Sequence, residues 1–307
     1  MNIIDRITED VWVDVARRCP WATYFHTPSW ASVITATFPQ YSVASMGFEL
    51  EGGLRGVLPL VCRKKKGVLV KKTDCKSMEP GVYGGIIADG DPSRNDIARV
   101  TEYLCSRKGS VGRIVETPFK QLNLASPFIS KELTTHILDL TGSYDAVRKG
   151  FNRGQKSNIN QAKKKSVAVR RADNKKDIET YCDIYYRTVE RWGKAKEEAY
   201  PRELFLNLFA LADPNACFWL AEAEGEIIAG ILVLAWNKNI VYWHGCSLQK
   251  FFKHYPNNLL HAAVIEWGCA NGYTAYDMGA SMGLEGVIRF KESFGARPRG
   301  FRAYRWK

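Results

Sequence analysis

Apolar and polar positions along this chain switch between helical and strand periods, and the switches mark its elements. Helical spacing covers residues 8–18 and resumes near Pro28 in TPSWASVITATF. The segments SVASMGFEL and LRGVLPLVCRKK read as strands, followed by the turn-rich YGGIIADGDPS, a helix in SRNDIARVTEYLCSRKG and a strand in VGRIVETPF. A basic helix is expected at about 143–165. Beyond it come a strand (VAVRRAD), helices in KKDIETYCDIYYRTVERWG and PRELFLNLFALAD, and three strands, ACFWLAEAEG, EIIAGILVLAW and NIVYWHGCS. The helix NNLLHAAVIEWGCANG, the strand YTAYDMGA, a short helix and a last strand, RGFRAYRWK, complete the order. Antiparallel strands followed by a helix and a further strand predict an α+β (mixed α/β) fold.

The short helix breaks its own pattern. Over Leu284 to Phe294, helical spacing puts Leu284, Val287, Phe290 and Phe294 on one face, and Lys291 falls inside that apolar arc. An amine there is either a functional group held out of water or a stem that packs while its head reaches solvent.

Length and composition narrow the class. With 307 residues, 46% hydrophobic, the chain can bury a large core and is long enough for two domains. Eight scattered cysteines without a CxxC pair argue against a zinc site or a disulfide framework and predict a reduced, cytoplasmic protein with no metal. The apolar run at 227–236 is too short to span a bilayer. The net charge of +12 is unevenly placed: residues 148–176 hold eleven Lys or Arg against Asp173 alone, and residues 63–76 hold seven against Asp74. Such clusters suit phosphate-rich partners, whether RNA, the anionic lipid head groups of a membrane surface or a nucleotide sugar; a solvated helix face and a lysine-decorated hairpin are the competing explanation.

Two strands, a loop, a helix, another strand and a final helix follow the plan of acyl-CoA N-acetyltransferase (GNAT) cores. In that plan two neighbouring strands splay apart, and the loop before the next helix holds the donor's pyrophosphate. Here that loop, LQKFFKHYPNNLL, lacks the usual glycine spacing. With that departure, the loop YP-N-LL, the segment G-Y-x-x-Y-D-x-G at 272–279 and EG-x-x-x-FK-x-x-FG at 285–295 resemble the FemAB-like branch of the GNAT superfamily, whose Fem-type members add amino acids to peptidoglycan precursors. HTPSW, YGG, GFNRGQKSNINQAKKKSVAV and YYRTVERWG extend the resemblance over most of the chain.

That resemblance implies two tandem GNAT-like subdomains: residues 1–141, completed by the C-terminal strand 298–307, and residues 142–297 carrying the transfer site. It implies no tightly bound cofactor, an aminoacyl-tRNA or acyl-CoA co-substrate, and an amine acceptor on a phosphate-bearing precursor. Two features depart from it: there is no room for the helical hairpin of long members, and Trp30 is followed by Ala31 where short members often have Lys.

Amide formation from an activated ester needs a neutral amine and a donor group facing the developing oxyanion. Lys291 is the candidate for the second role. Asp277 and His244 are candidate proton acceptors, each with a structural alternative as a turn cap or a packed strand residue. Strict alternation in NIVYWHGCS would put Tyr242, His244 and Cys246 on one face. Tyr242 is an alternative to His244 for taking the amine's proton and a candidate substrate contact, and Tyr255 and Asn258 are candidates for donor binding. Arg191 and Tyr83, the latter in YGG, are candidates for the acceptor. The competing functions are an acyl-CoA or acyl-carrier-protein N-acyltransferase, and a non-catalytic RNA- or anionic-surface-binding protein on the same scaffold.

Overall fold

In the computed structural model, the apolar run at 227–236 lies inside a sheet covered on both faces, which is why it is almost continuously apolar rather than alternating. The structure describes residues 2–4, 7–65, 72–107, 110–124, 129–193, 199–211 and 213–306. They form two units, Met1–Thr134 with Gly300–Lys307, and Thr135–Arg299.

In the first unit, β1 (Asn2–Ile4), β3 (Met46–Glu49), β4 (Arg55–Leu58) and β7 (Ile87–Ala88) make an antiparallel sheet. A second set comprises β2 (Ser42–Val43), β5 (Val61–Lys65), β6 (Lys72–Lys76), β8 (Ser110–Val115) and the end of β15 (Arg297–Trp306); β6 and β8 run parallel and the other pairs antiparallel. Helices α1 (Glu9–Arg18), α2 (Pro28–Thr37) and α3 (Arg94–Ser106) bury Trp12, Val15, Trp30, Ile34, Val100 and Leu104. Cys62 and Cys75 face each other across β5 and β6 and form a disulfide, which corrects the expectation of a fully reduced chain. Spacing could not show this, because the pairing depends on strand register. Of the basic hairpin at 63–76, residues 66–71 lie outside the described residues.

The second unit begins in β9 (Ile129–Asp139). The expected basic helix is two helices, α4 (Tyr144–Lys149) and α5 (Arg153–Lys164). The break falls at Gly150–Asn152, where the Asn152 side chain accepts from Gln155 N at 2.7 Å and caps a new helix. Next come β10 (Ala168–Arg171), α6 (Lys175–Arg191), α7 (Arg202–Ala210), β11 (Ala216–Ala223), β12 (Glu226–Trp236), β13 (Asn239–Ser247), α8 (Pro256–Ala270), β14 (Ala275–Ala280) and α9 (Glu285–Glu292). The sheet order is β10-β11-β12-β13-β14-β9, antiparallel except for β13 and β14. Helices α6 and α8 pack against β12 and β13. No helix among the described residues is long and apolar enough to cross a membrane.

Candidate active site

Strands β13 and β14 pair through three residues each, Asn239–Val241 with Ala275–Asp277. Beyond that point β13 continues to Ser247 and β14 to Ala280 without further pairs between them, so the two strands splay. A cavity of about 390 Å³ fills the opening, lined by residues of both strands, the end of α6, the start of α8 and one side of α9.

Lys291 lies on the cavity wall at 3% exposure. It is the buried residue of α9, whereas Leu284 and Val287 are exposed, so the apolar arc expected to face inward is partly turned out. The cause is the overhang of the helix's first turn: Val287 and Lys291 share a stripe, one turn apart, running from the cavity mouth inward. Phe294, just past the helix, anchors the inner end against Phe151, Phe290 and His261. The amine donates to Gly279 O at 2.5 Å. Burial pulls it down from 10.5 to about 8, against the field of Asp277, which favours the ammonium.

Asp277 is fully buried at the splay point and accepts from Thr135 Oγ1 and, at 2.9 Å, from Gly279 N. Its carboxylate holds the irregular stretch near the end of β14, between Asp277 and Ala280, where Gly279 has φ +75°. This makes it a positioning group for Lys291, and it does not line the cavity.

The alternation expected for NIVYWHGCS fails at a bulge. Leu232 pairs with His244 and Val233 with Tyr242, so Trp243 is the extra residue and the strand changes phase there. Tyr242 therefore faces α8, its ring 4.8 Å from that of His261, and lines the cavity. Its hydroxyl crosses Gly245, where an added Cβ would lie 2.4 Å from the oxygen. His244 points the other way: its Nδ1 meets Tyr181 OH at 2.5 Å, its ring stacks edge-on with Tyr185 at 4.2 Å, and burial pulls its pKa to about 3. The structure does not bring His244 to the cavity, so its catalytic candidacy is corrected to a packed core residue. Cys246 Sγ meets Tyr181 O at 3.6 Å, and burial pushes its thiol up, away from a nucleophilic thiolate.

Three other candidates meet at the cavity. Arg191, at the end of α6, donates to Ser247 O at 2.9 Å and lies over the Phe252 ring at 4.9 Å. Tyr255 adopts a left-handed conformation at φ 54° just before α8. Asn258, in the first turn of α8, donates to Gln155 Oε1 at 2.8 Å. Beside it, the buried Asn257 Oδ1 has no hydrogen-bond partner among the described residues. Tyr83 belongs elsewhere: in the first unit it is fully buried and packs edge-on with Phe25 and Phe301, leaving no surface for an acceptor. That corrects its assignment as a substrate contact.

Sequence reasoning missed His261. It lies in α8, three residues after Asn258 on the same face, and lines the cavity. Its Nδ1 is 2.8 Å from Tyr276 OH, and burial, aided by Lys291, pulls it to about 3, so it is a neutral imidazole. The signal was the helical spacing from the YPNN loop.

Residues 147–292 match the family described as an acetyltransferase (GNAT) domain. None of the curated proteins is matched by the sequence. Among solved structures, FemX superposes with a TM-score of 0.74 at 14% identity, covering 98% of this chain and 97% of FemX. L-PGS from Bacillus licheniformis superposes at 0.58 and 15% identity, over 100% of this chain and 94% of that one. A tandem GNAT protein from the clavulanic acid biosynthesis pathway does so at 0.53 and 12%, over 99% and 97%. At these identities the likeness is one of fold: two tandem GNAT-like subdomains in a mixed α+β chain.

Proposed function

We propose, on the premise that the chain carries an acyltransferase domain of GNAT type within a FemAB-like tandem fold, that it moves an aminoacyl or acyl group from an activated donor to an amine on a phosphate-bearing cell-envelope precursor. The observation that carries this reading is the buried Lys291 amine on the wall of the gap between β13 and β14. The acceptor amine attacks the donor carbonyl carbon, and the Lys291 ammonium faces the oxygen on which charge develops. Collapse of that intermediate expels the donor's alkoxide or thiolate, which takes up the proton the amine gives up. Arg191 offers its guanidinium to the acceptor's phosphate or carboxylate. Tyr242 and His261 shape the wall beside the reacting carbonyl, and Tyr255 and Asn258 flank the donor.

Aminoacyl-tRNA is the favoured donor. A proline and two asparagines stand where acyl-CoA enzymes carry a glycine cradle, and the adjoining α4–α5 segment is strongly basic. An acyl-CoA or acyl-carrier-protein donor is the second reading, supported by the first turn of α8 lying on the cavity and by the tandem GNAT neighbour. Incubation with bulk tRNA charged with radiolabelled amino acids, in parallel with labelled acyl-CoA, tests both. Label transferred to an amine acceptor from charged tRNA supports the first reading, and label from acyl-CoA the second. No transfer from either would end both.

A further inference from the structure

The second unit displays apolar side chains that its core does not use. Met282 is 81% exposed, Leu284 62%, Trp192 55%, Phe252 44% and Val287 36%. Trp192, Phe252 and Val287 line the cavity, so this apolar set forms part of its mouth and continues along the approach to α9.

A cationic helix adjoins it. Residues 148–165 contain seven Lys or Arg and no Asp or Glu. The inner face of α5 is spent on α8 through Gln155, Ile159 and Ala162, while Arg153, Lys163, Lys164 and Lys165 are exposed. Its bound amines meet carbonyls, not carboxylates: Lys156 Nζ donates to Lys149 O at 3.0 Å and Lys165 Nζ to Lys253 O at 2.6 Å. Two contacts fix this helix beside the apolar set. At its start, Asn152 N donates to Ser293 O at 2.9 Å, at the end of α9. At its finish, the Lys165 bond reaches the residue after Phe252. The helix, roughly 18 Å long, thus runs between the two apolar elements.

Exposed aliphatic side chains next to cations that meet no carboxylate among the described residues match a surface that is anionic outside and apolar beneath. Nucleic acid supplies the anions and would stack on Trp192 and Phe252, but it offers no bed for the aliphatic Met282 and Leu284, the most exposed members of the set. We propose that the second unit docks on an anionic phospholipid bilayer, with Met282 and Leu284 entering the acyl boundary, α5 against the headgroups and the cavity mouth facing the lipid. Docking would present a lipid-borne amine acceptor to Lys291; that clause rests on the proposed transfer, whereas the docking itself does not.

Flotation of the full chain with phosphatidylcholine vesicles, with and without phosphatidylglycerol, tests it. The wild-type protein should float with the anionic vesicles and not with phosphatidylcholine alone. Met282→Glu/Leu284→Glu and Lys163→Glu/Lys164→Glu should each weaken binding about tenfold or more, with circular dichroism melts matching wild type; should the glutamates lower the melt, Met282→Gln/Leu284→Gln replaces them. Absence of wild-type flotation would overturn the proposal. So would a rim variant that floats as wild type does, since the attraction would then be that of a basic patch for any polyanion. Flotation without transfer would leave the docking standing and the enzyme reading fallen; transfer without flotation would do the reverse.

Discussion

Lys291 Nζ donates to the Gly279 carbonyl at 2.5 Å, so a main-chain oxygen, not a carboxylate, aims the amine at the gap between the splayed strands. Gly279 is in turn fixed through its own N–H by Asp277. The carboxylate therefore acts on Lys291 twice, through the stretch it holds and through its field.

Lys291→Met should lower the transfer rate about 10²–10³-fold, the usual loss of one oxyanion donor, with a smaller change in KM. Because the ammonium is the active form and its pKa is about 8, the wild-type rate should fall as pH rises past that value. A rate that instead climbs through the same range would make the amine a base and discard the oxyanion assignment.

The same shift reads out in stability. Between about pH 8 and 10.5 the unfolded chain still holds the proton that folded Lys291 has released, so stability from this group rises with pH across that window. The penalty is full below about pH 8 and amounts to ~3 kcal/mol. Denaturant melts of wild type minus Lys291→Met, compared across the window, should show that slope; parallel curves would contradict the burial.

His244→Phe should destabilise the protein by about 1–3 kcal/mol, because the buried Tyr181 hydroxyl loses its partner. The transfer rate per folded molecule should hold within about twofold. A large loss of rate with an unchanged melt would return His244 to the chemistry.

The Cys62–Cys75 disulfide closes a short stretch, with a sequence separation of 13. Its reduction, or Cys62→Ser/Cys75→Ser, should cost about 2–4 kcal/mol in denaturant melts. Equal midpoints with and without reductant would show that the pair does not constrain the unfolded chain.

Much of this architecture was legible because patterning reports elements directly. The helices at 9–18, 175–191 and 256–270 and the strands at 216–247 lie where periodicity put them. Lys291 was visible as a charge in an apolar arc. What pattern cannot report is phase and partnership. The Trp243 bulge inverted His244 relative to Tyr242, the Asn152 cap split a continuous basic stretch into two helices, and strand register joined Cys62 to Cys75. Tyr83 failed for a related reason: YGG signals a backbone that can approach closely, yet its tyrosine went to an aromatic cluster.

The extra residue at Trp243 has a further consequence for how this unit tolerates change. On either side of it, one strand serves two faces: Tyr242 and Gly245 look to the cavity and His244 to α6, while Cys246 lines the cavity and turns its Sγ to Tyr181 O of α6. Tyr242 packs on the His261 ring and His244 on those of Tyr181 and Tyr185, so the packing effects of substituting the two should come close to adding. Acceptor preference can then drift on one side while the aromatic packing around Tyr181 stays untouched. Deleting Trp243 would close the bulge without exchanging the two sides, because Tyr242 and His244 would then be successive residues of a regular strand and still face opposite ways.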